Sequence, residues 1–298
     1  MTSPSLEAQA LVKVFGDFTA VDDVSFEVRP GEVVGLLGAN GAGKTTTIRM
    51  LVGLLKPASG FALLLGSTPD RQARRSLGYV PQGLGLYRQL TVAENLEFNG
   101  DTYGVEPADI GGALAEAKDR RVGEIPLGLQ RQLAFVCALQ HDPQVLVLDE
   151  PTSGVGPLGS ARLWDEIRST ADGGAGVLVS THSMQEARQC DRLLLMADGA
   201  IVARGTEAVV VGDMEVAQVT TQSWREAFAA LSETGSLVTL DGRTVRVVDQ
   251  STEQVHDVVG PIDATATITS VPGTIDERMA VLAAGESSQP GVSHDHTS

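Results

Sequence analysis

The stretch VVGLLGANGAGKTTTIRMLVGLL, residues 33 to 55, decides the fold. Its first five residues, Val33 to Leu37, form an apolar run without polar alternation, the pattern of a short strand buried on both faces. Gly38-Ala39-Asn40-Gly41-Ala42-Gly43-Lys44-Thr45 follows, fitting G-x-x-x-x-G-K-[ST], and a helical run begins at once. Glycines let the backbone curl so that successive N–H groups converge on phosphate oxygens, while the helix N-terminus adds partial positive charge. Lys44 then reaches the β- and γ-phosphates of a nucleotide, and the Thr45 hydroxyl ligates Mg²⁺. A glycine-rich turn with a chance lysine is the alternative, and it leaves the flanking strand and helix unaccounted for.

A second apolar strand, VLVLDE at residues 145 to 150, ends in two acids. Asp149 is placed to hold Mg²⁺ through water, and Glu150 to accept a proton from an attacking water. Further short runs at Leu77–Val80, Val177–Ser180, Leu193–Met196 and Ile201–Ala203 alternate with helical patterns. That alternation predicts an α/β core with a largely parallel sheet covered by helices. After about Gly212 the order becomes strand, helix, strand, strand, helix, strand, a split βαββαβ unit. The closing GESSQPGVSHDHTS lacks apolar periodicity and is expected to be disordered. The expected division is residues 1–211, 212–285 and a tail over 286–298.

Composition narrows the function. At 298 residues and 42% hydrophobic, the chain has enough apolar surface for packed cores. No apolar run approaches the roughly 20 residues needed to cross a bilayer, and MTSPSLEAQALVKVF has no charged-then-apolar leader. A cytoplasmic protein is the expectation. The net charge of −16 argues against a nucleic-acid surface, which needs clustered Lys and Arg. From Thr206 onward there are 14 Asp and Glu against 4 Arg, and no Lys follows Lys118, consistent with a separate C-terminal module. Cys137 and Cys190 lack metal-like spacing, and Cys137 sits in an apolar helical pattern where a reduced, buried thiol is expected.

Taken in order, these motifs resemble the nucleotide-binding subunit of an ATP-binding-cassette transporter, over about residues 6 to 211. The resemblance implies a P-loop NTPase cassette with a helical subdomain, binding ATP and Mg²⁺. It makes Phe15 an aromatic that stacks on adenine, with an ordinary core aromatic as the alternative. Thr46 joins the nucleotide-contacting residues. Tyr79-Val80-Pro81-Gln82 matches the family's loop whose glutamine, here Gln82, reaches the metal and attacking water and senses a membrane partner. Ser180-Thr181-His182 resembles the family's switch, which makes His182 the residue that contacts the γ-phosphate. PTSGV, STHSMQEA and YRQLTVAENLEF look most like subunits serving separate export permeases for drugs, antibiotics or lipid-like substrates. The Leu240-to-Val247 hairpin is similar to the accessory domain such subunits carry, whose alternative role is simply to stabilise the core.

The sequence departs from the family pattern at three places. The usual signature Leu-Ser-Gly-Gly-Gln is replaced by Ile125, Pro126, Leu127, Gly128 and Leu129, so a serine hydroxyl and one glycine are missing, and Pro126 has no N–H to donate. A similar Pro-Leu-Gly variant does occur among exporter subunits of this kind. Gly156 stands where the family places an aspartate after Thr152-Ser153-Gly154-Val155. The stretch from Gln82 to Pro126, which docks on the permease in the family, looks short by roughly one helix of a few turns.

Because the family binds two ATP molecules between two head-to-tail subunits, in a homodimer or heterodimer, the resemblance implies an intact catalytic half and a degenerate signature half. The expectation is an export ATPase, weakened by its degenerate signature and by Gly156, held at the cytoplasmic face of the membrane through its permease. Two alternatives are a nucleotide-gated module that scarcely hydrolyses ATP, and a soluble cassette acting on ribosomes or DNA. The acidic charge and single cassette disfavour the second.

Overall fold

The computed structural model describes residues 3–286. The chain divides into two compact units, the first through Thr206 and the second from Glu207 onward.

The first unit opens with strands β1 (Leu6–Phe15) and β2 (Phe18–Val28), then β3 (Val33–Leu37), helix α1 (Lys44–Leu51), β4 (Ser59–Leu64) and β5 (Leu77–Val80). Helices α2 (Val92–Tyr103), α3 (Gly112–Glu116) and α4 (Leu127–Leu139) follow. The unit closes with β6 (Val145–Asp149), α5 (Pro157–Asp172), β7 (Gly176–Thr181), α6 (Met184–Ala187), β8 (Arg192–Ala197) and β9 (Ala200–Gly205). Six of these strands form one sheet in the order β5-β6-β7-β3-β8-β9, parallel except for the last pair. Every residue of β3, β6 and β7 is buried, as strands covered on both faces must be.

The expected largely parallel sheet is therefore present, but a second sheet was not anticipated. β1, β2 and β4 form an antiparallel three-stranded sheet in the order β2-β1-β4. Register shifts interrupt both pairings of β1, and its exposed positions break the period-2 signal that would have marked it.

The helical part of this unit packs Val92, Leu96, Leu114, Val122, Ile125, Leu133 and Cys137 into a cluster of its own. Thr91 and Glu94 form a reciprocal capping box that starts α2. The fully buried Asn95 then pins the loop before it. Its Nδ2 donates to the carbonyls of Tyr87 and Thr91 at 3.0 and 2.8 Å, and its Oδ1 accepts the Tyr87 N–H at 2.9 Å.

The second unit contains α7 (Glu207–Val211), β10 (Glu215–Thr220), α8 (Trp224–Ser232), β11 (Val238–Asp241), β12 (Thr244–Val248), α9 (Thr252–Val259), β13 (Thr267–Pro272) and α10 (Ile275–Glu286). Its sheet runs β11-β12-β10-β13, antiparallel throughout, which is the split βαββαβ arrangement. Ala227 and Leu231 of α8 and Val255 and Val259 of α9 pack on Ala217, Val219, Val245 and Val247. The unit begins five residues before the expected boundary, because α7 packs against α10. Glu286, expected to open the tail, ends α10, and residues 287–298 of that expected tail lie outside the described residues.

Arg246 on β12 and Glu277 on α10 form a buried ion pair, with Nε to Oε1 at 2.6 Å and Nη2 to Oε2 at 3.0 Å. Burial pushes the Glu277 carboxyl up, but hydrogen bonds from Arg246 and Thr274 outweigh it and hold the group below its usual value. A carboxyl depressed in the folded state contributes stability above its unfolded pKa of about 4.3, and that stability is lost as pH falls through the folded value. Glu277→Gln is expected to cost about 3–5 kcal/mol, since it strands the Arg246 charge. Hydrogen exchange of the β12 and β13 amides measures both effects: protection falls in the variant, and its acid sensitivity below about pH 4 flattens.

Candidate active site

The turn from β3 into α1 is a loop that only glycine can make. Gly43 has φ +100, and a Cβ there would meet the Ala20 carbonyl at 2.6 Å. No side chain caps α1, so its positive end is left to whatever lies in front of it. Lys44 folds back over the loop, its Nζ donating to the carbonyls of Gly38 at 2.8 Å and Ala39 at 3.0 Å. Burial pushes the Lys44 ammonium below its usual value, and Glu150 and Asp149 oppose that shift. Ala42 is buried in the core beneath the loop and donates its N–H to the Ala39 carbonyl at 3.2 Å.

Asp149, at the end of β6, is 1% exposed. Its Oδ1 accepts the hydroxyls of Ser180 at 2.5 Å and Thr45 at 3.3 Å. Its Oδ2 is buried with no hydrogen-bond partner. An orphaned anionic oxygen beside a threonine hydroxyl fits a hard cation that takes most of its ligands from phosphate and water, as Mg²⁺ does. Among the described residues no group of three or more Asp, Glu, His or Cys is arranged to hold a metal ion, so this is not a self-contained metal cage.

Glu150 follows in the left-handed region, φ +52, a conformation that costs a non-glycine residue on the order of 1–3 kcal/mol and clusters at functional sites. Three side chains converge on its carboxylate. Gln82 donates to Oε2 at 3.2 Å, His182 Nδ1 lies 3.3 Å from Oε1, and Lys44 Nζ lies 3.9 Å from the same oxygen.

A cleft of about 420 Å³ opens here, lined by Phe15, Asn40, Gly41, Gly43, Lys44, Thr45, Thr46, Gln82 and Glu150. Asp149 and His182 adjoin it through Thr45 and Glu150. Phe15 is half exposed at its mouth rather than in the core. Phe18, paired with Phe15 across the β1–β2 hairpin, also lines the cleft. The spacing Phe-Gly-Asp-Phe was the only sign of it in the sequence. Ser180, which bonds Asp149, stood unremarked beside His182.

Pro126, Leu127 and Gly128 do not line this cleft. Pro126 is the N-cap of α4 and supplies no side-chain cap, Leu127 is 42% exposed, and a Cβ at Gly128 would meet nothing within 4 Å. The start of α4 is thus an open, uncapped helix N-terminus.

Residues 21–153 match the family model for the ABC transporter. The chain is 44% identical over 213 residues to the "Probable multidrug ABC transporter ATP-binding protein YbhF" of Escherichia coli (strain K12), a match covering 67% of this chain but only 37% of that protein. It is 39% identical over 224 residues to "Nod factor export ATP-binding protein I" of Paraburkholderia xenovorans (strain LB400), covering 71% of this chain and 74% of that one. A solved structure, "Structure of ATP binding subunit of ABC transporter", superposes with TM-score 0.62 at 30% identity, covering 69% of this chain and 91% of the other. With the loop geometry and the carboxylate pair, these likenesses establish that the chain belongs to the ATP-binding subunits of ABC transporters.

Proposed function

We propose that the chain hydrolyses ATP to drive export through a separate membrane permease. The observation that carries this reading is the convergence of Lys44, Gln82 and His182 on the Glu150 carboxylate. Phe15, with Phe18 beside it, would take the adenine, and the 38–46 loop the phosphates. Thr45 and Asp149 would hold Mg²⁺ with Gln82 nearby, and the ion would supply neutralisation of the negative charge that develops on the phosphates. Glu150 accepts a proton from water as the water oxygen bonds to the γ-phosphorus. The bond from that phosphorus to the bridging oxygen breaks, leaving ADP and phosphate. His182 orients Glu150 and meets the γ-phosphate, and Gln82 aligns the water.

The export reading draws on relatives named for multidrug and Nod factor export. A groove of about 220 Å³, lined by Leu54, Tyr79, Leu84, Leu86 and Tyr103, is the face proposed for the permease, adjoining the Gln82 loop. That docking would hold the protein at the cytoplasmic side of a membrane. No helix among the described residues is long and apolar enough to cross one. Two copies, or this chain and a related one, would pair so that each ATP meets one subunit's loop and the other's α4 N-terminus. The degenerate signature would make the isolated protein a slow ATPase.

Mg·ATP at about 100 times its dissociation constant is expected to stabilise the protein by about 2.7 kcal/mol. Lys44→Ala removes the ammonium that the phosphates would draw from its carbonyl partners, so most of that stabilisation should disappear in thermal denaturation. Equal shifts in wild type and variant overturn the placement of the phosphates.

A further inference from the structure

Arg131 is 7% exposed, one turn into α4, and its Nη1 donates to the main-chain carbonyls of Glu150 at 3.0 Å and Pro151 at 3.2 Å. From the other side, the Glu150 N–H donates to the Ser180 hydroxyl at 3.1 Å and approaches the Ser180 carbonyl at 3.2 Å. Both polar main-chain groups of Glu150 are therefore held, by α4 and by β7. Such anchoring is what a left-handed residue needs, because peptide rotation toward an ordinary conformation would swing its side chain away. The carboxylate so aimed is the one that Gln82 and His182 meet.

Arg131 is costly to bury. Burial pushes its guanidinium below the usual arginine range, against the opposing pull of Glu150 and Glu186. Its Nε is buried with no partner. An apolar side chain of similar length would fill the same space without stranding Nε, but it would leave the Glu150 and Pro151 carbonyls without this donor. What arginine adds is the pair of bonds to the Glu150 and Pro151 carbonyls. We infer that Arg131 is a positioning residue for ATP hydrolysis, fixing the Glu150 main chain so that its carboxylate stays aimed at the attacking water; this rests on the reading of Glu150 as proton acceptor. The aim of the carboxylate is thereby tied to α4, whose first residues are the divergent Pro126-Leu127-Gly128.

The test uses the full chain with Arg131→Met, Arg131→Lys, Glu150→Gln and the Arg131→Met/Glu150→Gln double variant, measuring kcat and KM for Mg·ATP and the thermal shift that Mg·ATP produces. Arg131→Met is expected to lower kcat about 10- to 100-fold, the usual consequence of a small misplacement of a reacting group. KM should stay within about twofold and the ATP-induced shift should persist, because phosphate contacts are untouched. Arg131→Lys should recover part of kcat, since an ammonium can donate to the same carbonyls, and it keeps the test valid should the methionine variant fail to fold. The double variant should be no slower than Glu150→Gln alone. Unchanged kcat in both Arg131 variants, a lysine variant no better than methionine, or full additivity in the double variant overturns the inference. Wild-type turnover in Glu150→Gln is a separate result, which overturns the assignment of the proton acceptor itself.

Discussion

Replacing Glu150 with glutamine is expected to lower ATP turnover by about 100-fold or more while Mg·ATP still binds and persists. The substitution keeps the side chain's length and the main-chain bonds to Ser180 and Arg131, which do not involve the carboxylate. The amide oxygen can still accept from Gln82, whose Nε2 now lies 3.2 Å from Oε2. What is lost is the lone pair that takes the water's proton and one negative charge 3.9 Å from Lys44. Removing that charge takes away a repulsion toward the nucleotide's phosphates, so affinity should hold or rise while chemistry stops. Single-turnover hydrolysis with bound-nucleotide analysis separates the two effects. Recovery of ATP as ADP at the wild-type rate would move the general base to another group, and His182 and Lys44, the two other titratable side chains at this carboxylate, would be the candidates.

How far such predictions could be drawn from sequence depends on whether the chemistry is local. Gly38 to Thr45 is contiguous, and local residues set the strand before it, the loop and the helix after it, so all three were readable. The place of Asp149 and Glu150 at the end of β6 was readable for a related reason, because a fully apolar run stops at these two acids. The βαββαβ unit was legible through its alternation of β-branched runs with helical periodicity. The sheet of β1, β2 and β4 was not, since exposed positions of β1 and β2 fall in pairs rather than in alternation and bulges shift its register. Arg131 was hidden more deeply. On an amphipathic helix an arginine reads as a solvated residue, and only the approach of α4 to the end of β6 reveals that this one is buried against the Glu150 carbonyl. Glu277 is a similar case, a helix-N-terminal acid whose partner lies 31 residues away on another element.

The second large effect is expected at the start of α4. Restoring Pro126→Ser, Leu127→Gly and Gly156→Asp together should raise the isolated protein's ATP turnover by about 100-fold, the lower end of what one pre-fixed donor at a transferring phosphoryl group contributes. The structure can accept all three. Pro126 already occupies the N-cap of α4 without a side-chain cap, so serine there gains about 1 kcal/mol and presents a hydroxyl at the same point. Gly156 is the N-cap of α5, with nothing within 4 Å of an added Cβ, and aspartate is a preferred cap. Leu127 is 42% exposed and lies over Gly154, so trimming it uncovers backbone and removes little core. The opposing argument is that the open α4 N-terminus already meets a partner's phosphate through its own N–H groups and dipole. On that account the wild-type protein turns over briskly with its permease and the triple variant adds little. The measurement is Mg·ATP turnover of both proteins, each alone and in the permease complex. A marked gain in the isolated triple variant assigns the slow step to the missing donors, whereas brisk wild-type turnover in the complex assigns it to the absent permease. If the folded triple variant stays inactive in both settings, the convergence on Glu150 is insufficient for hydrolysis, and a module that closes on ATP without consuming it becomes the better account of the same geometry.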